Sequence, residues 1–183
     1  MNTTDLSQFN NDWYKPGPKF KRGAWFMINA CIMQSKWFPF SNFKVFLLSA
    51  FGAEMGDNIV IKPNVNIKYP WKLKVGDNSW IGEQVWIDNL GQVNIGKNVC
   101  LSQGAMLLCG NHNYKKKAFD LVVGNITLED GVWIGAHSVV CPGIRAKSHA
   151  LLAVNSVATK TLEEYTIYQG NPAVEMRKRE IKD

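Results

Sequence analysis

Aliphatic residues recur at every sixth position along much of this chain. Met55, Ile61, Ile67 and Leu73 form one run, Val75, Ile81, Ile87 and Val93 a second, and Ile95, Leu101 and Leu107 a third. After Leu128 the step returns at Ile134, Val140, Ala146, Leu152 and Ala158. A weaker column of small or β-branched residues lies four positions further on; it includes Ile59, Val65, Val85, Val99, Ala105, Val132, Ser138, Ile144, Ala150 and Ser156. A helix requires apolar residues every three or four positions, and a strand requires alternation over a short span. A step of six sustained from residue 55 to residue 158 fits neither. It predicts an all-β solenoid of short strands. Three hexads build one triangular coil, the first position of each points inward, and Gly or Asn turns the corners. The motifs Met55-Gly-Asp-Asn, Val75-Gly-Asp-Asn and Ile95-Gly-Lys-Asn lie 20 residues apart, one coil plus a two-residue bulge. A chance pattern in a β-sandwich would need more than a dozen positions to fall into phase by accident.

The rhythm fails once. The coil opening at Ile95 is expected to end at His112, and the next clear coil opens at Leu128. Residues 113–127 are surplus and predict an extruded loop. Loops of that length without regular structure are usually functional or disordered. His112 therefore stands where a rigid scaffold hands over to a loop, a suitable place to hold a catalytic side chain. The chain divides into an N-terminal arm with short helices (1–52), the solenoid (53–170) and a basic tail (171–183). Pro16-Gly17-Pro18 breaks any helix in the polar residues 1–22 and predicts an extended arm. Residues 36–40, "KWFPF", read as a turn between two helical pieces, and residues 43–52, "FKVFLLSAFG", as a short helix ending at Gly52. These helices are expected to cap the open end of the solenoid, which repeat folds need. The alternative is contact with a membrane surface, aromatic residues down and lysines toward anionic headgroups.

Composition narrows the picture modestly. At 183 residues, 46% of them hydrophobic, the chain suits one domain with a real core. A net charge of +6 fits an anionic ligand or an acidic membrane surface. No nucleic-acid motif accompanies the small basic clusters Lys115-Lys116-Lys117 and Arg177-Lys178-Arg179, so no nucleic-acid partner is expected. The four cysteines, Cys31, Cys100, Cys109 and Cys141, have no metal-binding spacing and read as reduced thiols in the cytoplasm. The segment "KFKRGAWFMINACIM" (19–33) has basic residues before an apolar run, but its charges begin late and Asn29 interrupts it, so it is not read as an export signal. Lys36 and Lys44 divide the apolar stretch too finely for a membrane span. A cytoplasmic protein is expected, with the inner membrane face as its one membrane surface.

The six-residue pattern resembles the hexapeptide-repeat family, whose fold is a left-handed parallel β-helix. The resemblance covers roughly Gly52 to Arg179 and supplies the handedness, which the period alone does not give. "CGNHNY" (109–114), "FD" (119–120), "GVWIGAHSVVCPGI" (131–144), "GNPA" (170–173) and the "NLG" at 89–91 together resemble the O-acetyltransferases of bacterial exopolysaccharide synthesis, of the colanic-acid type. The resemblance implies a homotrimer with a catalytic histidine in a cleft between subunits, acetyl-CoA as donor and a sugar or lipid-linked sugar as acceptor. It requires no metal.

That chemistry suits a single histidine. A sugar hydroxyl is a poor nucleophile until a base receives its proton, and neutral imidazole, with an ordinary pKa of about 6.5, typically contributes about 10²–10⁴ in rate. His112 is assigned as general base for direct transfer, without a cysteine acyl-enzyme. His137 and His149 fall fourth in their hexads and are expected to be structural or exposed. Asp88 and Asn89 lie about one coil before His112 and are candidates to orient the imidazole or hold the acceptor, the alternative being corner asparagines of the solenoid. Trp86 offers an apolar platform to a sugar, or packs between coils, and Tyr114 and Asp120 lie on the loop within reach of an acceptor. For the donor, the resemblance implies backbone contacts to pantetheine at Gly135 and Ala136. "AVNS" (Ala153 to Ser156) stands where relatives carry a Gly-Ala-Gly-Ser-like turn. Lys160, Arg177 and Lys178 are candidate phosphate partners.

Three other readings compete with this one. A trimeric metalloenzyme would need close histidines in one hexad phase, but the gaps here are 25 and 12 residues. N-acylation of an amino-sugar nucleotide, or acetylation of a xenobiotic alcohol, would use the same base and donor site. A non-catalytic β-helix scaffold would keep the repeats and bind no acetyl-CoA.

Overall fold

The computed structural model describes residues 3–182. Short strands stack into three parallel sheets, visited in turn by each coil. The first holds Glu54–Met55, Leu73–Val75, Val93–Ile95, Ile126–Leu128 and Arg145–Ala146. The second holds Val60–Ile61, Trp80–Ile81, Cys100–Leu101, Trp133–Ile134, Leu151–Leu152 and Thr166–Gly170, and ends with the antiparallel strand Ala173–Lys178. The third holds Asn66–Ile67, Trp86–Asp88, Met106–Leu108, Val139–Val140 and Val157–Ala158. The fold is a left-handed parallel β-helix of about six turns.

The six-step column becomes the core. Ile61, Ile81, Leu101, Ile134 and Leu152 pair in one ladder through the second sheet, and all are buried. Burying each such side chain stabilises by about 1.5–3 kcal/mol. The corners need backbone in the left-handed region, which asparagine tolerates better than most residues. Asn58, Asn78 and Asn98 take it at φ near +55° between the first and second sheets, and Gly131, His149 and Tyr165 continue that column. Between the second and third sheets the column runs Asn64, Gln84, Gly104, His137 and Asn155. His137 and His149 are therefore corner residues. Each imidazole lies over a glycine of the preceding coil: a Cβ on Gly131 would fall 2.2 Å from His149 Nδ1.

The helical region lies against the first coil. Helix α1 (Lys19–Ile28) runs into a π turn at Asn29–Met33, and helix α2 (Ser41–Ala50) follows. Their inner faces satisfy the open backbone edge of that coil. Trp25 Nε1 donates to the Ile67 carbonyl at 2.7 Å, Asn29 Oδ1 accepts from the Ile67 amide, and the Ser41 hydroxyl bonds Ile61. Lys44 is fully buried, donates to the Lys62 carbonyl at 2.8 Å, and has its pKa pushed down by burial. A bare sheet edge is a template for unwanted pairing, and these groups close it.

One boundary differs from expectation. The surplus segment is a β-hairpin, with Gly110–His112 paired antiparallel to Leu121–Val123. It starts at Gly110 rather than 113 and has returned by Ile126, because Ile126–Leu128 is already in register with Val93–Ile95. His112 thus belongs to the extruded element and not to the end of a coil.

Candidate active site

The hairpin leaves the corner between the third and first sheets and carries His112 at the end of its first strand. His112 Nδ1 lies 2.9 Å from the Phe119 carbonyl. A carbonyl only accepts, so in neutral imidazole Nδ1 holds the proton and Nε2 keeps its lone pair. Nε2 has no hydrogen-bond partner among the described residues. The Phe119 ring stacks on the imidazole, with centroids 4.4 Å apart and planes 6° from parallel. Phe119 adopts φ +53°, a left-handed conformation that is uncommon for a bulky side chain and costs roughly 1–2 kcal/mol. That backbone turn places carbonyl and ring together against His112.

The N-terminal arm also reaches the imidazole. Phe9 meets the imidazole at 5.7 Å, the Asp5 amide donates to the Lys117 carbonyl, and the Asp5 carboxylate pairs with Lys117 at 3.5 Å. Further along, the Tyr14 hydroxyl donates to the Leu90 carbonyl at 2.9 Å, and Trp71 Nε1 donates to Pro16. Lys72 also reaches Leu90 and Tyr14, and burial lowers its pKa. The arm is thus strapped from the hairpin tip to Trp71.

Asp88 and Trp86 sit together beside the hairpin base. They line a cavity of about 520 Å³ between α1 and the third sheet, with Arg22, Asn29, Asn66 and Tyr69. A Cβ placed on Gly110 would lie 3.8 Å from the Asp88 carboxylate, so the cavity wall and the hairpin adjoin. Asp88 pairs with Lys68 at 2.8 Å. Arg22 Nε is buried without a partner among the described residues, leaving a donor beside this space. A larger concavity of about 720 Å³ lies along the first sheet, but no hairpin residue lines it.

Other expected residues separate. Asn89 is fully buried; its amide accepts from the Tyr69 N–H and donates to the Tyr69 and Lys72 carbonyls. It staples the corner, with its side-chain amide committed to the backbone of Tyr69 and Lys72. Tyr114 is exposed at the hairpin tip, and Asp120 pairs there with Lys116 at 2.9 Å. Gly135 is buried against the next coil. Its amide donates to Leu152, its carbonyl accepts from Ser138, and it lies so close to the next coil that a Cβ would fall 2.6 Å from the Val154 nitrogen. Ser156 is buried, with its hydroxyl between Val154 and Gly170, so it too is structural. Ala136 and Ala153 remain half-buried at the corner between the second and third sheets. Lys160 is exposed at the His112 corner, two coils on. Arg177 and Lys178 lie elsewhere, in a shallow cationic depression of about 330 Å³ with Arg179 and Lys182. Lys178 donates there to Thr166 at 2.8 Å, and Arg179 clamps the Gly131 and His149 carbonyls. The sequence did not single out Phe119 as a partner of the imidazole, nor Phe9, Tyr69 and Arg22; only Phe119 carried a local signal, as part of the "FD" pair.

The three histidines occupy three different corners of the solenoid, and no group of three or more metal-ligating side chains occurs among the described residues. Cys109 is fully buried, and burial pushes its thiol up to about 11. It is a thiol, not a thiolate, at neutral pH. Cys109→Ala is therefore expected to leave turnover within about twofold, and iodoacetamide at pH 8 should label exposed Cys31 long before Cys109. Loss of turnover on that substitution, with the fold intact, would reinstate a covalent route.

No family model matches the chain. A relative named as a colanic acid biosynthesis acetyltransferase, WcaF of Escherichia coli K12, is 33% identical over 178 residues, covering 96% of this chain and 97% of its own. The chain belongs to this acetyltransferase family. The galactoside O-acetyltransferase of E. coli is 27% identical over 140 residues, covering 75% of this chain and 68% of its own. A hexapeptide-repeat acetyltransferase from Vibrio cholerae, solved in complex with acetyl coenzyme A, shares the fold at a TM-score of 0.79 and 21% identity, covering 89% of each chain. In this acetyltransferase the six-step core is the scaffold, and the His112 hairpin is its main departure from regularity.

Proposed function

We propose that this acetyltransferase moves the acetyl group of acetyl-CoA to a sugar hydroxyl in bacterial polysaccharide biosynthesis, working as a homotrimer with His112 as general base. The observation that carries this reading is the bond from His112 Nδ1 to the Phe119 carbonyl, which leaves Nε2 free to accept a proton. Acetyl-CoA supplies the acetyl group as a thioester. The acceptor oxygen forms the new bond to the acetyl carbon as its proton passes to Nε2. The carbon–sulfur bond breaks, and the imidazolium returns the proton to the departing thiolate. Phe119 and Phe9 hold the ring in place throughout.

The cavity beside the hairpin suits the acceptor. Trp86 and Tyr69 offer flat apolar faces, Asp88, Asn29 and Asn66 offer polar groups, and the volume is ordinary for a small-ligand site. Ala136, Ala153, Lys160, Arg177 and Lys178 are the remaining donor-site residues. Because Lys160 follows the third sheet while the Arg177 depression lies at the end of the second, the trimer reading assigns them to donors approached from different subunits.

Thiol release against a panel of sugar, amino-sugar and lipid-linked acceptors tests this reading. Hydroxyl-bearing sugars should support turnover. Asp88→Asn should raise the acceptor KM about five- to tenfold with a smaller change in kcat. Turnover with amino sugars alone would favour N-acylation. Absence of acetyl-CoA binding would favour a scaffold.

A further inference from the structure

The charge of this chain is concentrated in one segment. Between Asp12 and Glu54 there is no acidic residue, whereas Lys15, Lys19, Lys21, Arg22, Lys36 and Lys44 are basic. Those six residues account for the whole net charge of +6, and the rest of the chain is balanced, with 15 basic and 15 acidic residues. Only Lys44 among the six is buried.

The same segment exposes large apolar side chains. Phe20 is 89% exposed and Trp37 93%, and Phe26, Met27, Phe40 and Phe46 are also on the surface. Phe38 touches Phe40 and Phe43, and Phe43 touches Phe46, so the rings of the interhelical turn and α2 form a continuous patch. The fold does not need this face. The inner residues Trp25, Met33 and Leu48 already close the first coil.

We propose that the outer face of the helical cap docks on an anionic lipid bilayer. Aromatic rings set among lysines and arginine, on short helices, are the composition of an interfacial contact. No helix among the described residues is long and apolar enough to cross a membrane, so the contact is peripheral. A second copy of this face is a poor partner, because it would bring cations against cations with no acid to offset them. The cap also lies at one end of the solenoid, where a plane can meet it without meeting the sheets. Lys19, Arg22 and Phe26 of α1 line the cavity beside the hairpin as well, so the docked face adjoins that space. The inference rests on the cap alone, and vesicle binding is read independently of acetyl transfer.

Co-sedimentation with vesicles tests it. The protein should pellet with equimolar phosphatidylcholine and phosphatidylglycerol, remain in solution with phosphatidylcholine alone, and be released by about 0.5 M salt. Phe20→Ser, Trp37→Ser and Phe46→Ser combined should weaken binding at least tenfold without changing the melting temperature, because all three side chains are exposed. Lys15→Glu with Lys36→Glu should weaken it by about 25-fold or more, at about fivefold for each cation near an anionic surface. Equal partition into both vesicle types, or no binding to either, would overturn the proposal. So would a fall in oligomeric mass with the triple substitution, which would assign the face to contact between copies.

Discussion

His112→Ala lowers acceptor-dependent thiol release by about 10²–10⁴ while acetyl-CoA binding stays within about twofold. This is the largest functional effect expected of any single substitution. The magnitude follows from the role. Without a base, the hydroxyl must lose its proton to water, and the benefit of a positioned imidazole disappears. Donor binding persists because the hairpin carries no donor-site residue in this account. The fold persists as well, because His112 is only half-buried and extends from the solenoid. Phe119→Ala separates the two halves of the argument. It keeps the carbonyl bond to Nδ1 and removes the stacked ring, so kcat should fall about tenfold, less than on losing the imidazole. Equal turnover of wild type and His112→Ala would remove His112 from the mechanism.

Trp25→Ala costs about 3–5 kcal/mol of stability, the largest structural effect expected. Trp25 is 1% exposed, packs on Phe51 at 5.3 Å and bonds the Ile67 carbonyl. Truncation leaves a cavity and an unpaired carbonyl at the open edge of the first coil. In a repeat fold each coil supports only its neighbours, so the damage should stay local at first. Hydrogen exchange should show residues 19–50 and the first coil losing protection while the strands from Leu73 to Ala158 retain theirs. A single cooperative loss across the whole solenoid would mean that the cap is not a separable unit.

The hexads made the solenoid legible because one physical demand, an inward apolar side chain, repeats with every strand. The weaker column four positions on is buried as well, and Ser156, in that column, is buried with it. Asp88 and Asn89 could not be separated by sequence, since neighbours at a strand end point to opposite sides. The structure sends Asn89 inward to staple Tyr69 and leaves Asp88 at the cavity. The hairpin boundary was obscured because a missing period says where regularity stops and not what replaces it. Phe9 carries no local signal at all: its contact with His112 depends on how the arm is strapped along a corner through Tyr14 and Trp71.

In the proposed mechanism His112 Nε2 faces the hydroxyl that receives the acetyl group. A structure with a non-hydrolysable acetyl-CoA analogue and a sugar acceptor tests it most directly. The reacting hydroxyl is expected within about 3 Å of Nε2, with Nδ1 still on the Phe119 carbonyl and the sugar against Trp86 and Asp88. An acceptor hydroxyl held instead by another base, with Nε2 turned to solvent, would contradict it.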